Sequence, residues 1–83
     1  MGDDRRISLA DASAIGDRLG ADWGTIDPAE FRRGIEIERE NAADDVAAGR
    51  VALARLAEVP DYYTRLDELA QAAEKHLSRR FRL

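Results

Sequence analysis

Apolar residues in this chain recur at intervals of three and four, and nowhere settle into the strict alternation of a half-buried strand. A face that repeats every 3.6 residues has to be buried against another such face. The expected fold is therefore all-α, a compact single-domain bundle of about four short helices. At 83 residues there is room for one domain. A chain of this size hides a modest share of its surface, so dimerisation would be a natural supplement to its stability.

The helix ends are written in capping residues. Ser8 followed by Asp11 starts the first helix, and Gly20 closes it, with Leu9, Ala12, Ile15, Gly16 and Leu19 on one stripe. In "DPAE", Asp27 is the N-cap of the second helix, Pro28 takes its first position and Glu30 completes a capping box. That helix is expected to run to about Asn41, with Phe31 and Ile35 facing inward. A third, "VAAGRVALARLAE", ends before Pro60, which restricts Val59 to an extended conformation. The spacing leaves open whether a turn or only a bend parts the second helix from the third. In the fourth helix Tyr62, Leu66, Leu69, Ala70, Ala73 and Leu77 form the expected core stripe, with Tyr63 and Phe81 on its flank. Residues 1–7 read as an N-terminal tail, 8–78 as the helical core and 79–83 as a basic C-terminal tail. Gly34 and Gly49 fall inside helices, where they cost propensity and are expected to allow close helix approach.

One residue breaks the pattern. Glu38 lies on the same face as Phe31 and Ile35, and a carboxylate on an apolar stripe must be paired or hydrogen-bonded. Its candidate partners are Arg55, Tyr62, Tyr63 and Arg65, in a buried polar corner that pins the second helix to the fourth. A metal-binding alternative would use the carboxylates of Glu36, Glu38, Glu40 and Asp61 for a hard cation such as magnesium or calcium. The lone histidine, His76, sits among basic residues near a helix end, and no arrangement of nucleophile, base and orienting acid surrounds it in sequence. No phosphate-binding glycine loop is present and the chain has no cysteine, so neither an enzyme nor a cofactor is expected.

Charge is divided along the chain. Residues 1–74 hold all 17 acidic residues and carry a net −8, while Lys75, Arg79, Arg80 and Arg82 give the last nine residues +4. An acidic body argues against a nucleic-acid-binding face, leaving the basic tail as the alternative point of contact. No apolar run is long enough to cross a membrane, and "MGDDRRIS" lacks the apolar stretch of a signal peptide.

The segments "EFRRGIEIERE" and "VALARLAEVPDYYTRLDELA" resemble a small family of uncharacterised helical domains found in bacterial proteins and within or beside phage structural proteins. Its pattern is roughly Glu-x-Glu-His, then Ile-Ala-x-(Asp)-His-Leu-x-Glu-x-Pro-x-Tyr-Tyr-x-x-Leu. Glu36, Glu38, Leu56, Glu58, Pro60, Tyr62, Tyr63 and Leu66 match it, and the likeness spans roughly residues 14 to 70. Arg39 and Arg55 stand where the pattern has histidines, and Ala54 where it often has an acid. A metal or proton-handling site built on those histidines would be lost here. Arginine cannot ligate a metal at neutral pH, but it can hold a carboxylate through paired hydrogen bonds, so the resemblance adds Arg39 to the buried polar corner around Glu38 as a structural ion-pair version of that site.

The resulting expectation is a non-enzymatic interaction or structural module in the cytoplasm or in a virion or phage-derived particle. Its partner would be a protein or a second copy of the chain. Trp23 and Phe81 are the aromatic contact candidates, with Arg79, Arg80 and Arg82 as the basic ones.

Overall fold

A computed structural model describes the backbone of residues 6–81 and the side chains of residues 6–75. Within them the protein is all-α: α1 Leu9–Leu19, α2 Pro28–Glu38, α3 Asp45–Glu58 and α4 Tyr62–Phe81, with a single 3-10 turn at Arg39–Asn41 after α2. The caps follow the sequence closely. Ser8 Oγ accepts the Asp11 amide at 3.0 Å, and Asp27 Oδ1 accepts that of Ala29 at 2.9 Å. Asp44 Oδ1 takes the Ala47 amide at 2.8 Å, after an extended Ala42 has separated α2 from α3 by a true turn. Gly20 closes α1 at φ 80°, a left-handed conformation that glycine adopts without strain.

α2 is the central helix and packs against each of the other three. Its Phe31 and Ile35 are fully buried against Ala12 of α1, Ala48, Ala52 and Leu56 of α3, and Tyr63 of α4. Small residues on α3 let the backbones approach, and Gly34 completes the fit on α2. A Cβ at position 34 would lie 2.6 Å from Tyr63 Cε2 and 2.8 Å from Ala52 Cβ, inside any tolerable contact.

Two boundaries differ from expectation. Ile7, assigned to the tail, is buried, and its N–H donates to Glu36 Oε2 at 3.1 Å, so the ordered core reaches one residue further back. On α4, Tyr63 rather than Tyr62 is the core residue. Leu69 is 66% exposed, and every described residue from Glu68 to Lys75, including Ala70 and Ala73, faces solvent. The reason is length. α2, with 11 residues, spans about 17 Å, whereas the 20 residues of α4 span about 30 Å. Beyond its first two turns, as far as its side chains are described, α4 is exposed on every face. The radius of gyration, 14.6 Å, exceeds the roughly 12 Å of a compact chain of this size, and the long axis is 51 Å. Leu77 and Phe81 carry side chains outside the described residues.

Candidate functional site

Three polar side chains on α2 seat the start of α4. Glu30 Oε1 accepts the amides of Tyr63 at 3.1 Å and Thr64 at 3.2 Å, while its other oxygen accepts the Thr64 hydroxyl. Glu30 thus serves α4 rather than the capping box of its own helix. It satisfies two first-turn N–H groups and places a negative charge at the positive helix end. Arg33 donates to both oxygens of Asp67, from Nε at 3.0 Å and Nη2 at 2.9 Å, and reaches Glu36 through Nη1 at 3.3 Å. The third tie is the Glu38 corner. Asp61 pairs with Arg65 one turn along.

At that corner Glu38, at the C-terminal end of α2, receives two donors on one oxygen. Tyr63 Oη donates to Oε2 at 2.8 Å and Arg55 Nε at 2.7 Å. The Glu38 side chain is only 12% exposed, so the pair of donors compensates its loss of water. Arg55 then reaches Tyr62, donating from Nη1 to the hydroxyl at 3.3 Å with its guanidinium 5.2 Å from the ring centre. The two tyrosine rings meet edge to face at 4.9 Å. Burial, and then the bond to Glu38, raise the Tyr63 phenol well above its ordinary value. The corner therefore holds its proton on Tyr63 and joins α2, α3 and α4; its chemistry is that of a clasp.

Of the six residues expected at this corner, the structure brings four together: Glu38, Arg55, Tyr62 and Tyr63. Arg39 instead sets Nε on Asp45 at 2.7 Å, because the 3-10 turn swings it toward the start of α3. Arg65, one turn past the corner, lies on Asp61 at 2.8 Å. The metal-binding arrangement is not formed. Glu36, Glu38 and Asp61 are turned to separate partners, and among the described residues no group of three acids or histidines could hold a metal ion. Trp23 is half-buried, edge-on to Phe31 at 5.7 Å, with Nε1 donated to Asp17 at 2.8 Å, so it closes the core edge. The Phe81, Arg79, Arg80 and His76 side chains, and all of Arg82, lie outside the described residues.

Sequence reasoning gave Glu30 to the capping box of its own helix and missed the Arg33–Asp67 pair. Both partners of each tie sit more than 30 positions apart, and nothing in local spacing signals such a bond. Beside the corner, Val51, Ala54, Val59 and Tyr62 line an open, mainly apolar groove of about 490 Å³ flanked by Arg50 and Glu58. Past Tyr62 the same face of α4 continues through the half-buried Leu66 to the exposed Leu69, Ala70 and Ala73.

Residues 12–72 match the family described as Protein of unknown function (DUF5661). The chain belongs to that family. The DUF5661 region runs from α1 into the exposed half of α4 and contains all three α2–α4 ties. No curated protein and no solved structure matches the chain. Among the described residues, no helix is long and apolar enough to cross a membrane.

Proposed function

We propose that this DUF5661 domain is a non-enzymatic interaction module whose working element is the outer half of α4. One observation carries the reading. The root of α4 is fixed by three polar ties and a buried tyrosine, while from Glu68 to Lys75 the helix is exposed, with Leu69, Ala70 and Ala73 uncovered. An isolated helical arm is marginal in water, and most helical stability in proteins comes from packing an apolar face. The outer half of α4 acquires that packing from a partner protein. A cytoplasmic setting, or the particle association that the resemblance noted above implies, belongs to the same proposal.

The test is photo-crosslinking from position 69 in the host cell, with exposed position 57 on α3 as the control. Discrete protein adducts from 69 and none from 57 are expected. No adduct from 69, or an equal pattern from both positions, contradicts the reading.

A further inference from the structure

Taking the outer half of α4 as the interacting element, we infer that its partner is a second copy of the chain, paired antiparallel along α4. The apolar stripe is narrow and nearly straight. At 100° per residue Tyr62, Leu66, Leu69, Ala70 and Ala73 fall within about one quadrant plus a few degrees of a helix face. Small residues at positions 70 and 73 let two such faces come close, with leucines on the body side to interlock. A two-fold axis between them sets Ala70 of each copy against Ala73 of the other, an isologous contact that closes on itself.

Charge selects the direction. Residues 1–74 carry −8 and residues 75–83 carry +4. A parallel pair would lay two basic ends side by side. The antiparallel pair instead lays the basic end of each α4 beside the root of the other, where Glu58 and Glu68 lie next to the Asp61–Arg65 and Arg33–Asp67 pairs, and sets Glu68 of one copy level with Lys75 of the other. The interface therefore has an apolar centre flanked by opposite charges.

The experiment is light scattering across protein concentration, combined with thiol crosslinking, for which the chain offers a background free of cysteine. The wild type is expected to reach twice the 9.2 kDa chain mass as concentration rises. Leu69→Glu, at an exposed position that the fold does not need, should stay monomeric with its thermal transition intact. Raising salt from 0.1 M to 1 M should weaken the dimer several-fold. A mixture of Ala70→Cys and Ala73→Cys should form a mixed disulfide faster than either variant forms its own, because only that pair meets across the axis. A wild type monomeric throughout, an undiminished Leu69→Glu dimer, a dimer indifferent to salt or faster homotypic crosslinking overturns the proposal. Failure here leaves the broader reading separately decided: position 69 then crosslinks to a foreign protein, or to none.

Discussion

Tyr63, buried without any exposed surface, donates a hydrogen bond from its hydroxyl to Glu38 Oε2 at 2.8 Å across the seam between α2 and α4. The same oxygen receives Arg55 from α3, so a single carboxylate oxygen joins three helices. Removing either end should therefore give unequal losses. Tyr63→Phe leaves Glu38 with Arg55 and should cost about 1–2 kcal/mol, while Glu38→Ala strands a buried hydroxyl and should cost about 2–4 kcal/mol. Urea unfolding with a constant slope would read both.

Gly34 fixes how closely Tyr63 can sit. Gly34→Ala improves helix propensity by about 1 kcal/mol, yet its methyl meets Tyr63 and Ala52. The overlap should win, for a net loss of about 1–3 kcal/mol in thermal or chemical unfolding. A stabilised variant would mean that the α2–α4 spacing is looser than described.

The alkaline limb of the stability curve should belong largely to Tyr63. Its phenol is raised in the folded protein, so the folded state keeps the proton after the unfolded chain has begun to release it. Stability is then fully present below about pH 10, the ordinary phenol value, and falls as pH rises beyond it. Tyr63→Phe should flatten that limb relative to wild type in melts between pH 8 and roughly pH 11.

The acid limb has the opposite sign. Asp45 beside Arg39 and Asp67 beside Arg33 are both held below the ordinary carboxylate range, chiefly by side-chain hydrogen bonds. Their contribution is present above about pH 4 and is lost as pH falls through the lowered values. Asp67→Asn should reduce the steepness of acid unfolding and loosen α4, seen as faster amide exchange in residues 64–67.

Much of this fold was written locally. Ser8, Asp27, Gly20 and Pro60 mark helix ends because capping acts within three or four residues, and the Phe31–Ile35–Glu38 stripe exposes a carboxylate that needs a partner. The corner's membership was half legible for the same reason. Periodicity puts Glu38 inside, but a choice among nearby arginines depends on the 3-10 turn at Arg39–Asn41, which carries no distinct pattern. Glu30 satisfied a local rule, and a distant helix end claimed it instead. The stripe on α4 reads as core because an apolar face left in solvent has the same period as one buried within its own chain.

Hydrogen exchange along α4 as a function of protein concentration tests the central claim most directly: α2 fixes the root of this helix and leaves its outer half for a partner. The amides of residues 66 and 67 should be protected at every concentration, and those of 72–75 should gain protection only as association rises. Full and concentration-independent protection of residues 72–75 in the dilute monomer would contradict it, by showing that the outer half is already packed within its own chain.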